Sequence, residues 1–232
     1  MAALRILVAD DHEIVRRGIC ALLTSRPGWE ICGEASDGRD AVEKAKKLRP
    51  DVTILDISMP RLNGLEATRQ LIAHDPHNKV LVLSINANQQ VVEEVLQAGA
   101  RGYIFKSDAG KDLVEAVDAL RQGKPYFNSR VSDMVLDGFL RGRTVSSAYP
   151  VPEKLTARER EVIQLIVEGQ STKEVATTLG VSVKTAETHR SNVMRKLQVH
   201  SVSELVLFAV RNNIVQIGRE TPGPTNVGSV AA

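Results

Sequence analysis

Aromatic side chains are scarce in this 232-residue chain, which has one Trp, three Tyr and four Phe. So few π-faces give no indication of a stacking platform for single-stranded nucleic acid. Long apolar runs are missing as well. None approaches the ~20 residues of a membrane-spanning helix, so no membrane partner is expected. The opening Met1-Ala-Ala-Leu-Arg-Ile carries no basic-then-apolar export signal and reads directly into a strand. Cysteine is limited to Cys20 and Cys32, the first in an expected helix and the second in an expected strand. Two thiols without an export signal point to reduced core residues in a cytoplasmic protein, not to a disulfide or a metal site. Neither sign of charge dominates, with 30 Lys/Arg against 28 Asp/Glu. The imbalance is local. Residues 1–122 hold 16 Lys/Arg and 18 Asp/Glu, whereas Lys184, Arg190, Arg195 and Lys196 face only Glu187 within residues 181–200. An acidic front and a basic stretch near the C-terminus suggest nucleic acid as a partner of the second half.

What is present divides the chain in two. Residues 51–60 hold the apolar run Val52, Ile54, Leu55, which ends on Asp56 and is stopped by Pro60. A buried strand that delivers a carboxylate to its carboxyl edge fits this pattern. Similar strands are expected at residues 4–9, 29–35, 79–84 and 103–106, each followed by an amphipathic helix. Asn86 with Gln89 reads as a capping box for the helix that runs to about residue 98. Strands alternating with helices specify a doubly wound parallel sheet with right-handed crossovers. Ligands of such sheets bind beyond the carboxyl ends of the strands.

The polar residues at those ends are Asp10 and Asp11, Asp56, Ser84 and Lys106. Three carboxylates brought together must either rise in pKa or take up a cation. A hard divalent ion with oxygen ligands, most simply Mg²⁺, resolves the repulsion. Lys106 and the Ser84 hydroxyl could then hold the oxygens of a phosphoryl group carried by Asp56.

Residues 1–122 resemble the receiver domain of two-component response regulators. The resemblance is carried by Asp10-Asp11, Asp56 before Met59-Pro60, Asn63-Gly64, Ser84, and Gly99-Ala-Arg-Gly-Tyr-Ile-Phe-Lys106. It implies a flavodoxin-like (βα)5 fold, with Asp56 as phosphoacceptor for a histidine kinase. It implies Mg²⁺ on Asp10, Asp11, Asp56 and the backbone carbonyl of Ser58. Ser84 and Lys106 would bind phosphoryl oxygens, and Tyr103 would turn inward as the hydroxyl moves. A rival reading of this half is a phosphohydrolase with an aspartate nucleophile. That chemistry needs a second carboxylate two residues on to protonate the leaving group, and Ser58 stands there. The chain is therefore read as a store for the phosphoryl group and not as an enzyme.

Residues 123–154 read as a linker: the chain leaves the sheet at Gly123-Lys-Pro-Tyr-Phe, forms a short helix over 131–140, then loses periodicity. From Leu155 the pattern is helical only. Capping boxes are expected at Thr156…Glu159, Ser171…Glu174 and Ser201…Glu204. A short helix, a turn at Gly180 and a longer basic helix follow one another, as in a helix-turn-helix. On that longer helix Val183, Ala186, Val193 and Leu197 suit the core. Lys184, Glu187, Thr188, Ser191 and Arg195 share the opposite face, where they could reach base edges, with Lys184, Arg190, Arg195 and Lys196 meeting phosphates. His189 is read as a phosphate contact or as a packed residue at the face boundary.

Residues 155–215 resemble the four-helix DNA-binding domain of the LuxR type. The matching residues are Leu155-Thr-Ala-Arg-Glu-Arg-Glu-Val162, Glu168-Gly169, Lys173-Glu-Val-Ala176, Val181-Ser-Val-Lys-Thr185, His189 and Lys196-Leu197. The resemblance implies that the third helix reads the major groove, placing Lys184, Thr185, Glu187, Thr188 and Ser191 near DNA. It also implies that the fourth helix often forms a dimer contact. The tail over 216–232 is expected to be disordered. The two resemblances occur together in the NarL/FixJ family of response regulators. They imply a regulator that is phosphorylated on Asp56, dimerises and binds double-stranded promoter DNA, with RNA polymerase as a further candidate partner. The competing reading is a signalling adapter that works through protein contacts without sequence-specific DNA binding.

Overall fold

The computed structural model describes residues 3–85, 88–140 and 155–215, with residues 137–140 described by backbone alone. The expectations for Asn86, for the aperiodic linker over 141–154 and for the tail over 216–232 lie outside these residues.

Six parallel strands form one sheet in the order β2-β1-β3-β4-β5-β6. They are β1 (Leu4–Ala9), β2 (Trp29–Ala35), β3 (Val52–Asp56), β4 (Val80–Ser84), β5 (Gly102–Phe105) and β6 (Tyr126–Phe127). Strand order reverses beside β1, which opens a crevice at the carboxyl ends of β1 and β3. The strands are buried on both faces, and alternate residues enter different cores. Ile6, Val8, Ile54, Leu81, Leu83 and Ile104 pack beneath α1 (Glu13–Thr24) and α5 (Ala109–Arg121). Leu7, Ala9, Leu55, Val82, Tyr103 and Phe105 pack on the other side against α2 (Gly38–Leu48), α3 (Gly64–His74) and α4 (Gln89–Gln97).

Helix starts follow local side-chain chemistry. The Asp37 carboxylate accepts from the N–H groups of Arg39 and Asp40, and the Asn63 side chain accepts from the N–H of Glu66. Such caps are each worth about 1 kcal/mol. The cap of α4 is Asn88, which accepts from the N–H of Gln90.

The chain does not leave the sheet after Gly123, as expected from sequence. Tyr126 and Phe127 pair with Gly102 and Tyr103 of β5. Pro125 precedes the pair, so no ladder hydrogen bond is lost to its missing N–H. Helix α6 (Ser129–Leu140) then lies on α4, with Val131 fully buried and Arg130 stacked over the Phe105 ring at 4.1 Å.

The remaining helices are α7 (Ala157–Val167), α8 (Thr172–Leu179), α9 (Val183–Leu197) and α10 (Val202–Arg211). They enclose their own core around Val162, Leu165, Val175, Ala186, Val193 and Leu205. Full capping boxes form at Thr156/Glu159 and Ser171/Glu174. At Ser201 only half of one forms, because the Glu204 carboxylate accepts from the N–H of His200 instead. Gly180 closes α8 at φ +64°, a left-handed cap that glycine takes without steric penalty. Val183 is 44% exposed, not in the core as expected. It stands at the first position of α9, and Val181 packs against the core in its place.

The two units meet through α7. Glu161 and Gln164, polar residues that periodicity would leave in water, are buried against the receiver-like half. Glu161 accepts from Arg39 at 2.9 Å and Gln70 at 2.7 Å, and Arg160 donates to Glu66 at 2.6 Å. Removing one partner of such a pair leaves the other group buried and uncompensated.

Candidate functional site

Each strand end supplies one part of the site. Asp10 and Asp11 follow β1, Asp56 ends β3, Ser84 ends β4, and Lys106 opens the 3₁₀ turn after β5. The structure brings Asp10, Asp11, Asp56 and Lys106 to one crevice, and Ser84 ends the neighbouring strand, one residue past the Cα partner of Asp56. Lys106 Nζ lies 2.7 Å from Asp10 Oδ2 and 3.0 Å from Asp56 Oδ2. Asp10 and Asp56 are buried, at 0% and 1% exposed. Burial pushes the Asp56 carboxyl above its ordinary range; Lys106 pulls it down, Asp10 adds to the rise, and the net direction is upward. For Lys106, burial alone would lower the ammonium, but Asp56 and Asp10 outweigh it and hold the group charged.

Ligand atoms of Asp10, Asp11, His12 and Asp56 all lie within 4.8 Å of one another. Three carboxylates therefore face one ammonium, an oxygen-rich set with a deficit of positive charge that suits a hard cation. The Ser58 N–H donates to the Asp56 carboxylate, so the backbone of that loop folds toward the site. His12 was not anticipated from the sequence. Its Nδ1 lies 3.0 Å from Asp11 Oδ1 and 3.4 Å from Asp10 Oδ1, and its N–H donates to Asp10 Oδ1 at 2.8 Å. Its place directly after the acid pair was the available signal.

Ser84 is fully buried and shares a hydrogen bond with the Tyr103 hydroxyl. Tyr103 is itself fully buried, and burial pushes its hydroxyl up to about 12, so it stays protonated at neutral pH. Its ring meets Phe105 edge-on at 5.5 Å. Tyr103 thus already points inward, whereas the resemblance tied that position to movement of the hydroxyl. The bond to Ser84, the Phe105 contact and the cover provided by α6 together account for it.

The loop between Asp56 and α3 is held from both sides. Arg61 adopts φ +63°, and its guanidinium pairs with the buried Asp37 carboxylate. Across the domain boundary, Gln164 Nε2 donates to the Met59 carbonyl at 3.0 Å, while Gln164 Oε1 accepts from the Asn63 N–H at 2.9 Å. The Arg61 N–H reaches the Glu168 carboxylate oxygens at 3.2 and 3.3 Å. Asn63 Nδ2 donates to the Ile214 carbonyl at 3.0 Å.

On α9, Lys184, Thr185, Glu187, Thr188, Ser191 and Arg195 are exposed on one face, and docking through α7 leaves that face uncovered. His189 is half-buried at its boundary. Arg190 donates to Thr172 Oγ1 at 3.3 Å, and Arg195 to Asn192 at 3.0 Å. Lys196, expected to meet DNA, is 18% exposed and pairs with Glu159 of α7 at 3.0 Å. Its position places it at the α7–α9 seam rather than on the open face.

Two family descriptions match the chain. Residues 6–118 match the response regulator receiver domain, and residues 153–209 match the bacterial regulatory proteins of the luxR family. The transcriptional regulatory protein LiaR of Bacillus subtilis is 36% identical over 212 residues, covering 91% of this chain and 99% of that protein. The transcriptional regulatory protein DegU of Brevibacillus brevis is 35% identical over 226 residues, covering 92% and 96%. Among solved structures, RcsB from Salmonella enterica serovar Typhimurium, bound to promoter P1flhDC in the presence of the phosphomimetic BeF3⁻, is similar at a TM-score of 0.56 and 29% identity, covering 90% of this chain and 98% of that one.

Proposed function

The chain belongs to the NarL/FixJ family of response regulators, a receiver domain followed by a LuxR-type DNA-binding domain, and on that premise we propose that it is a transcription regulator switched by phosphorylation at Asp56. The observation that carries this reading is Lys106 Nζ bridging Asp10 and Asp56 in a crevice shared with Asp11. Asp10, Asp11, Asp56 and the Ser58 carbonyl would hold Mg²⁺, which supplies positive charge against the phosphoryl oxygens. An Asp56 carboxylate oxygen forms the new O–P bond as the P–N bond of a kinase phosphohistidine breaks. Lys106 passes from the Asp56 carboxylate to a phosphoryl oxygen, and the Ser84 hydroxyl donates to another. The phosphoryl group carries about −1.5 to −2 charge where the carboxylate carried −1, and the charge so added at the mouth of the docked interface favours release of the DNA-binding domain and pairing of two copies on adjacent half-sites. The relatives' association with promoter DNA supports duplex DNA as the partner.

Intact mass after incubation with a small phosphoryl donor and Mg²⁺ tests the reading. Wild type is expected to gain one phosphoryl group and form more dimer; Asp56→Asn is expected to do neither. A mutant modified as fully as wild type would remove Asp56 from its assigned role.

DNA contact has its own test. Lys184→Ala should weaken binding to target and scrambled duplexes alike and reduce the slope of affinity against salt by about one unit. Thr188→Ala should instead erode discrimination between the two duplexes, by about 1–3 kcal/mol if it reads a base. Equal binding of wild type to both duplexes would favour the adapter reading.

A further inference from the structure

Three backbone groups of the loop after Asp56 find their partners in the other domain. The Met59 carbonyl and the Asn63 N–H are met by the amide of Gln164, and the Arg61 N–H is met by Glu168. Gln164 and Glu168 stand one turn apart at the end of α7, and Gln164 Nε2 also donates to Glu168 at 2.8 Å. Gln164 is 2% exposed, so little water reaches its bonds to Met59 and Asn63, while the Arg61–Glu168 contact lies at the exposed rim. The gripped segment begins one residue past Ser58, whose carbonyl belongs to the assigned metal set. Elsewhere the loop has little freedom. The Gly64 N–H donates to the Ile57 carbonyl at 2.9 Å, and the Gly38 N–H donates to the Leu62 carbonyl at 3.1 Å.

We propose that Gln164 and Glu168 are positioning residues of the phosphoacceptor site, through which the docked DNA-binding domain holds the loop of Ser58 in its resting shape and slows chemistry at Asp56. This rests on the functional reading above and adds its coupling device. The Ser58 carbonyl shares a peptide plane with the Met59 N–H, and the Met59 carbonyl that Gln164 holds follows in the next plane. Because Met59 precedes Pro60, its φ and ψ are restricted, so re-aiming the Ser58 carbonyl is passed on to the gripped group. A ligand that draws the loop toward Asp56 therefore works against docking. The linkage is reciprocal: whatever loosens docking raises the affinity of the site for that ligand by the same factor. The docked state leaves the α9 face open, so the device acts on the receiver and does not depend on shielding the reading helix.

The test uses the full chain with Gln164→Ala, Glu168→Ala and Glu168→Gln. Residue-resolved hydrogen exchange reads the Arg61 and Asn63 amides, calorimetric titration reads Mg²⁺ affinity without any phosphoryl donor, and intact mass reads the rate of phosphorylation by a small donor. Gln164→Ala loses the bonds to the Met59 carbonyl and the Asn63 N–H, so it should deprotect Asn63, tighten Mg²⁺ about fivefold and speed phosphorylation by a similar factor. Glu168→Ala should deprotect Arg61 and move the other readings the same way. Glu168→Gln keeps an acceptor for the Arg61 N–H and should stay near wild type. Deprotected amides with unchanged Mg²⁺ affinity and rate would overturn the proposal, leaving a purely structural contact. An Asn63 amide that stays protected in Gln164→Ala would overturn it too. A wild type that takes Mg²⁺ but no phosphoryl group would refute the functional reading, and the Mg²⁺ shift would still decide the coupling.

Discussion

Lys106→Met is expected to slow phosphoryl transfer to Asp56 by about 10²-fold while making the fold dependent on divalent metal. Both effects come from the same ammonium. In the resting protein Lys106 Nζ is the charge that Asp10 and Asp56 share, at 2.7 and 3.0 Å, in a place where neither carboxylate has water to turn to. Methionine fills the volume but leaves two buried carboxylates facing each other. Breaking a buried pair in this way costs about 3–5 kcal/mol. Thermal unfolding in EDTA should therefore shift down sharply. Added Mg²⁺ should restore most of the loss, because it supplies positive charge to the same oxygens. The variant should also bind Mg²⁺ more tightly than wild type, since no ammonium competes for the carboxylates. Stability recovers with metal but phosphorylation does not, because the group that would follow the phosphoryl oxygens is gone. A variant as stable as wild type in EDTA would show that the carboxylates are not held in charged form.

Much of this site could be read from the chain alone, for a physical reason. Parallel strands alternate their side chains and finish at one edge, so Asp56, Ser84 and the acid pair could be placed together without coordinates. Glycine and capping chemistry likewise marked the turn at Gly180 and the start of α7. What escaped depended on partners distant in sequence. Nothing in the local pattern distinguishes Gln164 from a solvated helix residue; its environment is set by Met59 and Asn63, roughly a hundred positions away. Lys196 has the charge and spacing of a phosphate contact, yet Glu159 of another helix claims it. The inward Tyr103 depends on Ser84, Phe105 and a helix beyond the sheet. The short β6 was missed because two residues carry no periodicity, and only the open edge of β5 makes them a strand.

Gly64→Ala is the substitution expected to damage the receiver most for the smallest chemical change. A Cβ at Gly64 would lie 2.1 Å from the Asp56 carbonyl oxygen, 2.8 Å from its carbonyl carbon and 2.9 Å from Ile57 Cα. All three are backbone atoms at the end of β3 and the first residue beyond it, so no side-chain rotation can relieve the overlap. Either α3 must withdraw or the end of β3 must bend. Overpacking of this kind costs about 1–3 kcal/mol, occasionally more, and backbone contacts place this case at the upper end. The damage should be local in effect, displacing the loop over 57–63 and abolishing phosphorylation, while the helices around α9 stay folded. Gly38→Ala should behave alike, because its Cβ would meet the Leu62 carbonyl oxygen at 2.1 Å. Gly18 gives the contrast. It sits within α1 with nothing inside 4 Å of its added Cβ, so Gly18→Ala should stabilise the helix by about 0.5–1 kcal/mol. Thermal unfolding and intact-mass phosphorylation of the three variants, run together, check the ranking. If Gly64→Ala unfolds with wild-type cooperativity and is phosphorylated at the wild-type rate, then the loop is softer than its contacts imply, and its grip on the Asp56 site cannot be rigid.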